Sequence, residues 1–339
     1  MKFFVGCYTR LGGPGVAMCE LEGDTLRFIE SSPELENPTY VILSADQKTL
    51  YATSSASADG EEGGSVAAYD ISDGHLRMVS RQSTAGRSVC HLALSSDERF
   101  LYVANYFTGN LSVFPVCGAQ ISPRIQRIQH EGHGPNAERQ ECAHCHFVAF
   151  DPDDDRLLYA VDLGIDAVIS YRQDPETGLL TARERIDFPA GVGPRHLIFS
   201  DSDTMYVAHE LGNAVSHLKR TSSGWKIMQT ISTLPKDWEG ESSVAAIRIS
   251  GNLLIVSNRG HDSLAFYEIR RGGSLSLISI CSTLGQFPRD FIPLPDGRLL
   301  VANQNSGDIR LFEFDRFGMA QVGETLSFPG AVCVCPMTE

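Results

Sequence analysis

One short sequence pattern recurs seven times and constrains the fold of this chain more than any other feature. It consists of a bulky apolar residue, an aromatic or aliphatic residue, two small or β-branched residues and then a polar residue. The segments lack the 3.6-residue apolar spacing of an amphipathic helix, so they predict β-strands. The copies are FFVGCYT (3–9), LYATSSA (50–56), LYVANYF (101–107), LYAVDLG (158–164), MYVAHEL (205–211), LIVSNRG (254–260) and LLVANQN (299–305).

The spacing between the copies indicates a repeat architecture. Their second residues stand at positions 4, 51, 102, 159, 206, 255 and 300, so successive copies are 47, 51, 57, 47, 49 and 45 residues apart. Spacings of about 40 to 50 residues with β-rich content are typical of propeller blades, each a sheet of four strands. We therefore predict an all-β fold, a seven-bladed β-propeller.

The two ends of the sequence predict how such a ring closes. FPGAVCVCP (328–336) looks like the first strand of a unit, but no copy of the pattern follows it. The missing second strand is FFVGCYT at the other end of the chain. Pairing of these segments would complete one blade and remove an exposed sheet edge. We predict a single propeller domain, residues 1–339, closed by the N- and C-terminal strands.

Charge and composition restrict the partners and the location. The formal net charge of −14 argues against nucleic-acid and anionic-membrane partners, because both bind clustered Lys and Arg. No apolar run approaches the roughly 18 residues of a membrane span, and too few apolar residues precede Cys7 for a secretion signal. Nine cysteines without framework spacing favour free thiols in a reducing cytoplasm. No dinucleotide or P-loop motif is present, so we expect no cofactor.

Two positions in each blade bring side chains from different blades to one shared pocket: the beginning of the first strand and the end of the second. Aligned on their turn residues, the units place His146, Arg195 and Arg289 in one column at the beginning of the first strand. The column at the end of the second strand contains Tyr8, Tyr106, Glu210, Arg259 and Gln304, each one residue after Cys7, Asn105, His209, Asn258 and Asn303.

The segment ECAHCHFVAF (141–150) raises the possibility of a metal site. His146 shares its column with two arginines, which are not metal ligands. Strand alternation would leave only Cys142, His144 and His146 on one face, whereas a structural zinc site usually has four ligands. We therefore predict no metal, and a channel-lining strand with functional histidines. Arginines, a glutamate and histidines at one mouth of an acidic protein indicate a pocket for a carboxylate or phosphate.

Five segments carry a resemblance to a known family: GVGPRHLIFS (191–200), LYAVDLGIDAVISY (158–171), AHELGNAVSHL (208–218), NRGHDSLAFYEI (258–269) and FPRDFIPLPDGRLLVANQNSGDIRLFEFD (287–315). Across essentially the whole chain, the sequence resembles the bacterial seven-bladed lactonases. That family includes propeller-type 6-phosphogluconolactonases and is similar to fungal 3-carboxy-cis,cis-muconate cyclases.

The resemblance implies a cytoplasmic, metal-independent enzyme of lactone chemistry. It carries the catalytic roles over to His146, Arg195, Glu210 and Arg259, with Arg248 in AAIRIS competing for the place of the second arginine. The unit around 244–255 lacks the usual Pro-Asp-Gly turn, and the loop 132–146 has no clear counterpart. The remaining predicted substrate-binding residues are Arg289, Gln304, His196, Tyr8, Asn258, Arg248 and His144.

Three functions are compatible with these residues. The first is hydrolysis of a sugar-acid lactone such as 6-phosphogluconolactone, with His146 as general base, Glu210 orienting it or the substrate, and arginines dividing between oxyanion and phosphate. The second is a cyclase that adds a carboxylate across a double bond. The third is a non-catalytic binding scaffold, although few aromatic residues stand at the mouth. We expect a small anionic sugar-lactone substrate and a monomer or small homo-oligomer.

Overall fold

Short β-strands make up nearly all of the regular structure. The computed structural model describes residues 1–60 and 63–338, so positions 61, 62 and 339 of the predicted domain lie outside the described residues. The described residues contain 29 strands and one 3-10 turn, Thr9–Leu11. Asn213, Asp262 and Gly307 adopt positive φ angles, which tight turns between strands require. None of the described residues belongs to a helix long and apolar enough to cross a membrane.

Seven antiparallel sheets follow one another along the chain, which confirms the predicted all-β, seven-bladed propeller. In five blades four strands pair in sequence order, blade 7 begins with a strand from the C-terminal part of the chain, and in blade 2 the segments Gln120–Ile121 and Gln126–Gln129 both pair with the third strand. Blade 1 comprises β4 (Val41–Leu43), β5 (Thr49–Ser54), β6 (Ser65–Asp70) and β7 (Arg77–Ser83). Blade 2 comprises β8 (Val89–Leu94), β9 (Phe100–Asn105), β10 (Asn110–Cys117), β11 (Gln120–Ile121) and β12 (Gln126–Gln129). Blade 3 comprises β13 (Cys145–Phe150), β14 (Leu157–Asp162), β15 (Ala167–Gln173) and β16 (Leu180–Asp187). Blade 4 comprises β17 (Pro194–Asp201), β18 (Thr204–His209), β19 (Ala214–Thr221) and β20 (Gly224–Ser232). Blade 5 comprises β21 (Ser243–Ser250), β22 (Leu253–Arg259), β23 (Ser263–Ile269) and β24 (Leu275–Ser282). Blade 6 comprises β25 (Pro288–Pro293), β26 (Arg298–Asn303), β27 (Asp308–Phe314) and β28 (Met319–Ser327). Blade 7 comprises β29 (Ala331–Pro336), β1 (Lys2–Cys7), β2 (Val16–Glu22) and β3 (Thr25–Ser32).

Blade 7 is assembled from both ends of the chain, as the sequence predicts. Its strand order is β29-β1-β2-β3. In the β1–β29 ladder, Phe3 is opposite Pro336 and Cys7 is opposite Ala331. The backbone groups along β1 are therefore paired on both sides, and the ring has no open edge at this strand.

The repeated pattern forms the second strand of each blade, and packing on both faces of the sheet explains its composition. In β9, Leu101 and Val103 pack in a cluster with blade 1, whereas Tyr102 and Ala104 pack in a cluster with blade 3. Successive residues of a strand face opposite sides of the sheet, and here both sides are buried between blades. A run of consecutive apolar residues is therefore required, instead of an alternation with polar ones.

The hydrophobic core is a circle of interfaces between neighbouring blades. Seven clusters each join two successive blades, including blade 6 with blade 7 and blade 7 with blade 1. Tyrosines of the second strands add polar contacts, since Tyr102 donates to the carbonyl oxygen of Gly178 at 2.9 Å and Tyr206 donates to that of Gly273 at 2.7 Å. These hydroxyl groups reach a turn of the next blade while their rings remain buried.

A β-bulge recurs at the beginning of the first strands and decides which side chains reach the central channel. The ladder skips one residue in β8, β13, β17 and β25. The skipped residues are Cys90, His146, Arg195 and Arg289. A bulge leaves one residue unpaired and re-aims its side chain. The predicted column of His146, Arg195 and Arg289 therefore corresponds to one repeated structural position.

Candidate active site

A cavity of about 730 Å³ opens where the first strands begin and the second strands end. Glu210 directly follows β18, Arg259 is the last residue of β22, and Tyr8 directly follows β1. Their side chains therefore come from three blades and meet at one mouth. Six of the predicted site residues line this cavity: Tyr8, His144, His146, Glu210, Arg259 and Arg289.

Glu210 is the centre of the charged cluster in this cavity. Its Oε2 lies 2.9 Å from Nε of Arg195 and 2.8 Å from Nη2 of Arg259. Its Oε1 accepts a hydrogen bond from Nη2 of Arg139. Glu210, Arg195 and Arg259 are almost completely buried, whereas the Arg139 side chain is 41% exposed. One buried carboxylate thus holds three guanidinium groups.

The charges in the cluster fix its protonation states. Burial alone would raise the pKa of Glu210, but Arg259, Arg195 and Arg139 hold it far below its usual range. Burial and the neighbouring Arg259 lower the pKa of Arg195 to about 9, so it remains a cation at neutral pH. The carboxylate is therefore ionised and already fully engaged, which makes it a poor proton acceptor.

Backbone carbonyl groups of blade 5 hold the two inner arginines in place. Nη1 of Arg195 donates to the carbonyl oxygen of Ala245 at 2.7 Å, and Nη2 of Arg259 donates to that of Val244 at 2.9 Å. Nε of Arg195 and Nε of Arg259 are buried and have no aligned hydrogen-bond acceptor among residues 1–60 and 63–338. The Arg195–Glu210 contact is accordingly an ion pair without hydrogen-bond geometry.

His146 stands beside this cluster as a buried, uncharged imidazole. Burial lowers its pKa well below 6.5, and the nearby Arg195 lowers it further. Its Nδ1 has no hydrogen-bond partner within the described part of the chain. The ring packs edge-on against Tyr106 and His196, with centroids 5.5 and 5.3 Å away. His146 also lines the cavity, and a neutral imidazole there can accept a proton.

His144 lies in the loop before β13 and is held from both sides. Its Nδ1 donates to the carbonyl oxygen of Tyr106 at 3.0 Å, its Nε2 lies 3.2 Å from Oε2 of Glu141, and its ring stacks on Tyr106. The strand-alternation argument for this segment is wrong. Because β13 begins at Cys145, His144 and Cys142 precede the strand, and the bulge reorients His146.

One group of potential metal ligands lies close together in the structure. It differs from the group that strand alternation predicts. The ligand atoms of Glu141, Cys142 and His144 lie within 4.8 Å of one another, without His146. Burial raises the pKa of the Cys142 thiol, and metal binding needs the thiolate. This set supplies three donors, fewer than the four of a structural zinc site. The absence of a metal stays a prediction.

The loop that carries Arg139 and His144 is tied to blade 3 by a buried polar network. Nδ1 of His130 donates to Oδ2 of Asp162 at 2.7 Å, and Nε2 of His130 accepts from the Tyr171 hydroxyl group at 2.8 Å. Oδ1 of Asp162 accepts from the backbone N–H of His144 at 2.7 Å. The network thereby fixes both ends of the loop, although the sequence offers no local signal for these partners.

A second cavity of about 20 Å³ adjoins the first and shares Thr39, Cys90, His146 and Arg289 with its wall. Arg195, His196 and Arg289 line it together with His146. Nη1 of Arg195 donates to Nε2 of His196 at 3.0 Å, and burial followed by Arg195 lowers the pKa of His196 well below 6.5. The space is large enough for about one water molecule. His196 thus contacts Arg195 and lines the second cavity instead of the first.

Three predicted residues line neither of these two cavities. Gln304 accepts from Nη1 of Arg289 at 3.4 Å and so touches a lining residue only. Asn258 is fully buried, and its amide group donates to the carbonyl oxygen of Thr233 at 2.9 Å. Arg248 forms an ion pair of 2.7 Å with Asp290 along the channel. Of the two competing arginines, Arg259 is the one that contacts Glu210.

Several lining residues were not among the predicted site residues. Cys90 occupies a bulge, and the turn alignment could have placed it in the column of His146. Arg139 belongs to the loop 132–146, which has no counterpart in other units, so its approach to Glu210 had no sequence signal. The cavity wall includes five arginines and three glutamates, an excess of positive charge in a protein of net charge −14.

The chain matches a family model described as "Lactonase, 7-bladed beta-propeller" over residues 2–336. It belongs to the seven-bladed β-propeller lactonase family. A lactonase-family relative, the 6-phosphogluconolactonase of Bacillus subtilis strain 168, is 37% identical over 98% of this chain and 97% of its own.

Solved structures of the lactonase fold agree over the whole length. A Lactobacillus plantarum protein has a TM-score of 0.91 at 30% identity and covers 98% of both chains. The periplasmic gluconolactonase of Pseudomonas aeruginosa has a TM-score of 0.88 at 28% identity, also over 98% of both chains. The names of the Bacillus and Pseudomonas proteins differ in whether the lactone carries a phosphate.

Proposed function

We propose that the protein hydrolyses 6-phosphogluconolactone to 6-phosphogluconate. The observation that carries this proposal is a neutral, unengaged His146 beside a glutamate-held arginine cluster in the pocket of a lactonase-family propeller. The Bacillus relative, which matches along nearly the whole chain, supports the choice of the phosphorylated lactone. The positive excess of the cavity wall suits an anionic substrate.

His146 acts as the general base in this reaction. A water molecule attacks the lactone carbonyl carbon while His146 takes one of its protons. The carbonyl oxygen becomes an oxyanion, the ring carbon–oxygen bond then breaks, and the departing ring oxygen takes the proton from His146 to give the hydroxy acid. Because its pKa is well below 6.5, His146 is in the proton-accepting form at neutral pH.

Arg195 and Arg259 stabilise the oxyanion, and Glu210 positions them. Preorganised cations are effective at this task because they need no reorganisation when negative charge develops. Oε2 of Glu210 lies 2.9 Å from Nε of Arg195 and 2.8 Å from Nη2 of Arg259, and these contacts fix the orientation of both guanidinium groups. Both carboxylate oxygens of Glu210 are already engaged by guanidinium groups, so its role is positional.

We also propose a cytoplasmic enzyme that needs no cofactor and has no nucleic-acid or membrane partner. All nine cysteines are free in the described part of the chain, and Cys117 is exposed. Free thiols of this number suit a reducing compartment. The oligomeric state proposed is a monomer or a small homo-oligomer.

The test is hydrolysis of freshly prepared 6-phosphogluconolactone in the presence of EDTA, corrected for the spontaneous rate. We expect His146→Gln to lower kcat by about 100- to 10,000-fold, the usual contribution of a general base. His75→Gln, which changes an exposed histidine outside the cavity, is the matched control and should keep wild-type activity. A folded wild-type protein with no rate above the spontaneous one would rule out this substrate.

A further inference from the structure

Two arginine side chains contact the same tyrosine at the rim of the cavity. The guanidinium carbon of Arg10 lies 4.1 Å from the ring centroid of Tyr8, and that of Arg289 lies 5.3 Å from it. All three residues line the main cavity. Tyr8 and Arg10 belong to blade 7, whereas Arg289 comes from the bulge in β25 of blade 6.

These two cations differ from the arginines around Glu210. Within residues 1–60 and 63–338, neither Arg10 nor Arg289 forms an ion pair with a carboxylate. Arg289 has only the long hydrogen bond to Gln304. Two guanidinium groups that share one aromatic ring and have no carboxylate partner leave their N–H groups available for an anionic ligand.

The turn that carries Arg10 is held in place before any ligand arrives. Arg10 is the middle residue of the 3-10 turn Thr9–Leu11. Oδ1 of Asn37 accepts from the backbone N–H of Arg10 at 3.2 Å, and Oγ1 of Thr9 accepts from the backbone N–H of Asn37 at 3.1 Å. Nδ2 of Asn37 donates to Oγ of Ser55 in blade 1 at 2.9 Å. The position of Arg10 is thus fixed by the neighbouring blade.

Ring geometry separates Tyr8 and Arg10 from the proposed reaction centre. In a closed ring of seven blades, blade 7 faces blades 3 and 4 across the channel. His146 belongs to blade 3 and Glu210 to blade 4. Arg289 lines the second cavity together with His146 and therefore lies between the two ends. One ligand spanning the main cavity would meet the base and oxyanion donors at one end and Tyr8 and Arg10 at the other, with Arg289 between them.

We infer that Arg10, Tyr8 and Arg289 form a phosphate subsite and that Arg10 makes the enzyme prefer a phosphorylated lactone. The inference rests on the proposed function, because it assigns the carbonyl end of the substrate to His146. A phosphate group matches two guanidinium forks and carries more charge than a hydroxyl group. The subsite thus distinguishes a sugar-acid lactone with a phosphorylated arm from one with a free hydroxyl group.

The kinetic test compares 6-phosphogluconolactone with unphosphorylated gluconolactone in Arg10→Gln. We expect kcat/KM for the phosphorylated lactone to fall about 10- to 100-fold, as for loss of a charge-assisted hydrogen bond, with the value for gluconolactone unchanged. Arg27→Gln, which alters an exposed arginine on β3 of the same blade, is the control and should change neither. An equal loss for both lactones, or a loss for neither, would overturn the inference.

A binding measurement separates this inference from the proposed reaction. Calorimetric titration with 6-phosphogluconate, gluconate and inorganic phosphate requires no turnover. We expect Arg10→Gln to weaken binding of 6-phosphogluconate and inorganic phosphate and to leave gluconate unaffected. If wild-type protein hydrolyses no lactone yet shows this Arg10-dependent binding, the reaction fails and the subsite stands. If phosphate binds equally to wild type and variant, the subsite is wrong.

Discussion

Glu210 shares its two carboxylate oxygens among Arg139, Arg195 and Arg259. Three cations face one anion, so the cluster keeps excess positive charge in a mostly buried place. Buried cations without sufficient counter-charge are costly, and an anionic ligand relieves part of that cost. The same excess of positive charge that lowers the stability of the cluster therefore favours binding of an anion.

Replacing Glu210 by Gln tests this balance. We expect the free energy of unfolding to fall by about 3–5 kcal/mol, because Arg195 and Arg259 would remain buried without their counter-ion. The measurement is urea unfolding at neutral pH. Glu141→Gln, at an exposed glutamate on the same cavity wall, should cost less than about 1 kcal/mol. Equal effects of the two variants would contradict the assigned role of Glu210.

At the scale of single elements, the bulged first strands and the loop before β13 differ in how far they can be predicted. His146, Arg195 and Arg289 could be aligned because their units share turn residues at a constant distance. The bulge itself depends on the ladder with the next strand, which one strand's sequence does not encode. The position of Arg139 depends on the His130–Asp162 contact between residues far apart in the chain.

Gly164 controls the backbone of this loop. A Cβ atom there would stand 1.9 Å from the carbonyl oxygen of Cys142 and 2.7 Å from the backbone N of His144. We expect Gly164→Ala to displace residues 142–144, to lower the free energy of unfolding by about 1–3 kcal/mol and to reduce lactonase activity.

Urea unfolding and kcat/KM measured on the same samples check the prediction. Gly318→Ala is the matched control, since the nearest atom to a Cβ there is Sγ of Cys281 at 3.8 Å. Wild-type stability and activity in Gly164→Ala would contradict the prediction, because they would show that the loop backbone moves without lowering either quantity.

At the scale of the whole molecule, the repeated pattern predicted the fold more completely than the aligned columns predicted the site. Seven buried second strands share one apolar pattern because each packs against two blades. The pattern therefore occurs once in every blade and predicts the number of blades. Asn258 stands in a column next to the site and still faces inward to bond the Thr233 carbonyl oxygen. Repetition thus identifies a position in the blade, whereas the direction of a side chain depends on local contacts.

Stability should fall in mild acid because the ring buries uncharged histidines. Burial lowers the pKa of His91, His146 and His196 well below 6.5, and that of His209 to about 3. Below about pH 6.5 the unfolded chain takes up these protons and the folded one does not, so stability is lost as the pH falls. From about pH 7.5 to about pH 5.5 we expect a loss of about 1.4 kcal/mol for each histidine.

Urea unfolding across this pH range checks the prediction. The variant His209→Gln removes one of the four groups, so its pH dependence should be smaller by about 1.4 kcal/mol whatever its absolute stability. A pH-independent free energy of unfolding in the wild type would show that these histidines titrate normally in the folded state.

The pairing of β1 with β29 also sets the order of events during translation. The strand that leads to Tyr8 and Arg10 leaves the ribosome before the other described strands, but its inner neighbour, Ala331–Pro336, is synthesised more than 300 residues later. At about 5–20 residues per second, β1 waits roughly 15 to 70 seconds for this partner. Blade 7 is therefore the last to be completed, and a nascent chain cannot present a finished rim until β29 has emerged.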